Sequence, residues 1–139
     1  MGEIKTKYVG PGISPGLRNR IGSFFAQEYF KSHIVIWLLI LSLAANLADW
    51  AILKIWVKPV DFPIILHYNV YFGVDLVGGY RQVYVLPLIG FVLFLINSTL
   101  SLYFYGQKER IASYILLMAV LMIQLSLIVA SVSVILINY

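Results

Sequence analysis

Few side chains in this sequence are equipped for chemistry, and three of them share one short stretch, Leu66-His67-Tyr68-Asn69-Val70-Tyr71-Phe72-Gly73-Val74-Asp75. An imidazole and a carboxylate are the parts of an acid–base pair, or of half a metal site. As metal ligands, His67 and Asp75 need two or three further donors. Asp61 and Asn69 are the candidates, and their spacing follows no established ligand pattern. As a catalytic pair they lack a nucleophile in a recognisable setting. The chain has no cysteine, which removes disulfides, thiolate nucleophiles and zinc–thiolate sites. His67, Asn69 and Asp75 therefore read as a ligand-binding or structural polar cluster whose hydrogen bonds to backbone groups hold a loop in shape. No metal and no cofactor is expected.

A second polar set, Asn46, Asp49, Asn97 and Gln124, lies inside long apolar runs. A charge in a membrane span costs about 2.5–3.5 kcal/mol on insertion scales and marks a functional hypothesis by default. Asn46 and Asp49 are three residues apart and share one helix face. Asp49 lies outward of the middle of its run, near the depth of Gly90 and Ser131. It is expected to face inward and to anchor the segment holding His67 and Asp75 through a hydrogen bond.

The elements that position these groups follow from composition. Of 139 residues, 61% are hydrophobic and 12% charged. Soluble domains have about 45–50% apolar and about 25% charged residues, so this is a membrane chain. Its net charge of +4 is then a topology code rather than a nucleic-acid signal. The partners expected are the lipid bilayer, other membrane subunits or a second copy, and no nucleic acid.

Residues 1–20, rich in Gly and Pro with four basic side chains, read as a flexible cytoplasmic tail. Residues 21–31 read as an interfacial amphipathic helix, or as the soluble first turns of the first span. Residues 33–57 form that span, with Trp37 and Trp56 near its ends and Lys54 close enough to the end to snorkel outward. Residues 82–105 form the second, with Pro87 in its opening turns, where a missing N–H does little harm. Gly90, Asn97 and Ser101 make one ridge on it. A charged turn, 106–110, leads to the third span, 111–137. There Ala112, Ala119, Ser126 and Ser133 recur every seven residues, a small-residue stripe expected to pack within the bundle. Gln124, Ser131 and Asn138 form a second stripe about 140° away, facing the loop or a partner subunit.

Residues 59–80 are too apolar for a solvated loop and too broken for a span. Leu66, Tyr68, Val70, Phe72, Val74 and Leu76 alternate with His67, Asn69, Tyr71, Gly73 and Asp75. Period two predicts extended structure with one apolar face, lying apolar side down across the mouth of the bundle. A short interfacial helix is the alternative. Lys5, Lys7, Arg18, Arg20, Lys31, Lys108 and Arg110 fall on one side of the membrane, against Lys58 and Arg81 on the other. The excess places the N-terminus in the cytoplasm and the C-terminus outside.

The run His67-Tyr68-Asn69, then Gly73 and Asp75, then Leu86-Pro87, resembles the domain of unknown function at the start of the sporulation-delaying-protein immunity and signalling membrane proteins. There a His-aromatic-Asn triplet, a Gly and an Asp lie between two spans, ahead of a Pro-containing helix. The likeness covers roughly residues 33–100. The Gly here comes one residue late, and Pro63 stands where a Pro two before the His is usual. The run from Leu66 to Leu76 also resembles small three-span proteins of reduced-genome bacteria. Both likenesses imply a protein of the bacterial inner (cytoplasmic) membrane.

The expectation is an all-α membrane protein forming one domain over residues 1–139, with three transmembrane helices and an amphipathic extracytoplasmic segment between helices 1 and 2. No nucleophile, phosphate loop or metal cluster points to an enzyme. The function expected is sensing, binding or supporting a partner through the outer segment. Alternatives are an accessory subunit of a larger membrane complex, or an oligomeric small transporter or channel component lined by Asp49 and Asn97.

Overall fold

Apolar runs of about 20 residues or more satisfy their backbone in lipid by coiling into helices, whose hydrogen bonds all lie within the segment. The computed structural model describes residues 28–139. It contains three helices long and apolar enough to cross a membrane. The expected tail over 1–20 and most of the expected interfacial helix lie outside the described residues. Of the latter, only a 3₁₀ turn, Glu28–Lys31, is described.

Helix α1 runs His33–Trp56. Its 24 residues rise about 36 Å, enough for a hydrocarbon core of about 30 Å. It stops where Pro59 approaches, because the residue before a proline is pushed toward extended backbone. Val57 is already extended. After a second 3₁₀ turn, Tyr80–Tyr84, helix α2 spans Val85–Gly106. Pro87 falls in its first turn, where the N–H has no helical partner in any case. Helix α3 spans Arg110–Asn138.

The turn between α2 and α3 carries its own left-handed residue. Lys108 has φ 67°. Its N–H donates to the Tyr105 carbonyl at 3.1 Å, and the Glu109 N–H reaches back to the Phe104 carbonyl at 3.0 Å. This pair of bonds is the Schellman closure of a helix, a place usually held by glycine. Gly106, the nearby glycine, is instead the last helical residue.

Helix α3 is the axis of the bundle. It packs against both other helices, which touch each other less. Two apolar clusters close the bundle at its ends. Leu53, Val57, Ile64, Val83, Val134 and Ile135 fill one. Tyr29, Val35 and Leu117 centre the other.

Between α1 and α2 the chain is not helical. Strand β1 (Ile64–Asn69) pairs antiparallel with β2 (Gly73–Gly78). Extended structure is what the period-two pattern predicts, but the expected all-α class is corrected by this two-stranded sheet. A single strand would leave its N–H and C=O groups unpaired, and folding back on itself satisfies them within the segment.

Candidate functional site

The hairpin is rooted in the bundle and free at its tip. Ile64 is buried in the cluster with Leu53 and Val134. The next residue is gripped by the end of α3: Asn138 Oδ1 accepts from the Ile65 N–H at 2.8 Å, and Asn138 Nδ2 donates to the Ile65 carbonyl at 2.7 Å. One amide thus pairs with both backbone groups of Ile65, as a neighbouring strand would. The same Nδ2 donates to the Val134 carbonyl of its own helix at 2.8 Å. Beside it, the Tyr139 hydroxyl donates to the Lys58 carbonyl at 2.9 Å. Of the two roles open to the second stripe of α3, Asn138 takes the loop-facing one.

Above the root, the register slips twice. Ile65 pairs with Val77 and His67 with Leu76, so Leu66 has no opposite residue; Tyr68 pairs with Val74, so Asp75 has none. A bulge re-aims the side chains around it. Here His67 Nδ1 meets Asp75 Oδ1 at 2.7 Å. A carboxylate only accepts, so Nδ1 carries the proton of that bond. The two side chains are 61% and 44% exposed, so the pair contributes about 0–1 kcal/mol. Asn69 Oδ1 accepts from the Tyr71 N–H at 2.8 Å. The expectation that His67 and Asp75 bond to backbone groups does not hold, because they bond each other. Among the described residues no group of three or more His, Cys, Asp or Glu side chains is placed to hold a metal ion.

The turn lifts three apolar side chains clear of the protein. Gly73 closes the three-residue loop with φ +78°, a conformation that disfavours any residue with a Cβ. Val70, Tyr71 and Phe72 are 85%, 91% and 85% exposed. Tyr68, Val74 and Leu76 are also exposed. This corrects the expected cap with Val70 and Phe72 turned down onto the bundle. Placing those residues in the turn takes them out of the alternation, and only the root of β1 docks. Across a small groove, Leu66, His67 and Tyr68 lean over Ser133 and Ile137 of α3.

Within the spans, three helices meet at one polar node. Asn46 Nδ2 donates to the Pro87 carbonyl at 2.9 Å and to Gln124 Oε1 at 3.1 Å. Gln124 Nε2 donates to the Gly90 carbonyl at 2.7 Å. Gly90 makes the node possible. A Cβ there would stand 2.7 Å from Gln124 Oε1, 2.8 Å from Leu127 Cδ1 and 3.0 Å from Asn46 Nδ2. Side-chain amides that bond across helices act as glue in a medium with no competing water. Toward the α2–α3 turn a second chain of bonds repeats the device. The Tyr29 hydroxyl donates to Ser101 Oγ at 3.1 Å, and Ser101 Oγ in turn bonds the Ser113 hydroxyl at 2.6 Å and its carbonyl at 3.1 Å.

Two expectations for the spans are corrected. Asp49 is buried and faces inward, but it does not anchor the outer segment: neither carboxylate oxygen has a hydrogen-bond partner among the described residues. Ser131 Oγ on α3 is likewise buried with no hydrogen-bond partner among the described residues. The small-residue stripe is also turned the other way. Ala119, Ser126 and Ser133 are exposed and Ala112 is half-buried, while Ser113, Leu117, Val120, Gln124, Ser131 and Val134 pack inside. Ser126 and Ser133 donate to the carbonyls of Met122 and Val129 on their own helix. Back-bonded in this way, they need no partner on another helix. Asn97 does likewise with the Leu93 carbonyl at 2.9 Å. Gly90 and Ser101 of its ridge are buried, and Asn97 is half-buried.

These features define a class: a multi-pass membrane protein of three helices, knotted by buried amides, with a rooted β-hairpin at one end. Compared with protein-family models, with curated proteins and with solved structures, the chain finds no match.

Proposed function

We propose that this is a non-enzymatic protein of the bacterial cytoplasmic membrane that engages a protein partner through its hairpin. One observation carries the reading. The most exposed apolar side chains on the hairpin, Val70, Tyr71 and Phe72, are consecutive and sit on a tip held by the Asn69 and Gly73 turn. Exposed apolar clusters on an ordered support mark interaction sites, and aromatic side chains dominate the energetics of such contacts. Nothing in the fold needs them there.

The orientation proposed puts the α2–α3 turn in the cytoplasm and the hairpin outside. Lys31, Lys108 and Arg110, with the basic residues of the N-terminal tail, outnumber Lys58 and Arg81. The module that the chain resembles also carries its His-aromatic-Asn triplet in an extracytoplasmic segment between two spans. Whether the partner is a complex that this chain serves as an accessory subunit, or a ligand protein that it senses, is decided by what it captures. The test is purification in mild detergent from the native membrane, with mass spectrometry of what is retained. A triple Val70→Ser, Tyr71→Ser, Phe72→Ser variant is expected to lose one defined protein that the wild type keeps, with helical content unchanged. An identical set of retained proteins for the two would sink the proposal.

A further inference from the structure

A second feature lies at the hairpin end, away from the hairpin's apolar tip. Between α1 and the 3₁₀ turn Tyr80–Tyr84 opens a groove of about 860 Å³. Its wall is aromatic: the rings of Trp50 on α1 and Tyr84, just ahead of α2, stack with centroids 5.8 Å apart and planes 19° from parallel. Its rim is cationic, with Lys54 from α1 and Arg81 from the 3₁₀ turn. The Arg81 guanidinium sits 5.7 Å from the centre of the Tyr80 ring, and its Nε donates to the Tyr80 hydroxyl at 3.2 Å. No carboxylate lines the groove, and among the described residues neither cation is paired with one.

We infer that this groove binds an anionic phospholipid, its phosphate between Lys54 and Arg81 and its acyl chain along Leu47 and Trp50. Charge selects the occupant. Two unpaired cations facing an acid-free cleft favour an anion over a zwitterion. Depth selects a lipid over a soluble anion. Lys54 and Arg81 stand where the apolar spans end, at headgroup level, while Leu47 lies seven residues, or about 10 Å, deeper along α1. A free anion would use the rim and leave the apolar wall bare. Tyr80, Trp50 and Tyr84 carry the amphipathic rings that suit the boundary between the two. The inference stands independently of the hairpin's proposed role.

The experiment is native mass spectrometry of the purified protein in detergent, offered equal amounts of phosphatidylglycerol and phosphatidylcholine. The wild type is expected to retain phosphatidylglycerol in several-fold preference. A Lys54→Gln, Arg81→Gln variant is expected to retain the two lipids equally; both side chains are exposed, so it should keep its helical content. A Lys54→Arg, Arg81→Lys variant should keep the preference. Equal retention by the wild type would overturn the inference. So would an undiminished preference in the Gln pair, or a loss of preference in the charge-retaining pair. If inorganic phosphate alone displaces phosphatidylglycerol at equal concentration, the acyl contact contributes nothing and the lipid assignment is also overturned.

Discussion

At the scale of single residues, the structure separates side chains that hold the protein together from those that merely looked reactive. Asn138 is the former. Its amide occupies both backbone groups of Ile65. The site is half-buried, so leaving the Ile65 groups unpaired costs about 1 kcal/mol. Asn138→Leu is therefore expected to lower the exchange protection of the Ile65 amide by about fivefold while leaving the central helices protected. Gly90 is a second. Gly90→Ala drives a methyl group into Gln124 and Asn46, both tied by hydrogen bonds. Overpacking of this kind costs about 1–3 kcal/mol, so the variant should melt earlier in detergent. Asp49 behaves differently. With no hydrogen bond to lose, Asp49→Leu should leave the hairpin's exchange protection unchanged and raise the melting temperature, because it removes two buried oxygens that have no partner. A lower melting temperature would mean that the acid has a partner that this account omits.

At the scale of elements, the spans are legible from residues 33–138 and the turns are not. Apolar runs of this length have one outcome in lipid, and their ends are written in Pro59 and in the charges after Gly106. Which face turns inward is a different matter. Spacing alone finds both stripes of α3, but it cannot rank alanine and serine against glutamine and asparagine. The amides won because Gln124 had partners to reach on both other helices, the Gly90 carbonyl and the Asn46 amide, whereas Ser126 and Ser133 satisfy themselves on their own helix. The hairpin was half legible. Alternation marked extended backbone but not where it folds back. The bulges at Leu66 and Asp75 arise only when two strands must share one register. The α2–α3 turn hides its left-handed residue at a lysine. Placing an L side chain there costs about 1 kcal/mol, so Lys108→Gly is expected to raise the melting temperature. A fall would show that the Lys108 side chain does more at the helix end than complete the turn.

At the scale of the whole molecule, the protein is polarised. One end closes with the Tyr29–Ser101–Ser113 chain of hydrogen bonds and a short charged turn. The other carries a hairpin whose root is buried and whose tip is bare. The surface of the spans is apolar nearly all round, as lipid demands, so exposed Leu, Ile and Val on the helices carry no message. Exposed aromatics beyond the spans do. The candidate chemistry read from His67 and Asp75 resolves into an exposed pair on the shaft of this hairpin. What the sequence could not supply was the fold-back that makes Val70, Tyr71 and Phe72 a tip instead of a buried face. The partner proposal rests on that tip, and it can be probed directly. A photo-crosslinking residue placed at Tyr71, with a second placed at the exposed, lipid-facing Val129 as control, should be irradiated in native membranes. The account predicts one discrete protein adduct from position 71 and none from position 129. Lipid adducts alone from position 71, or the same adducts from both positions, would contradict it.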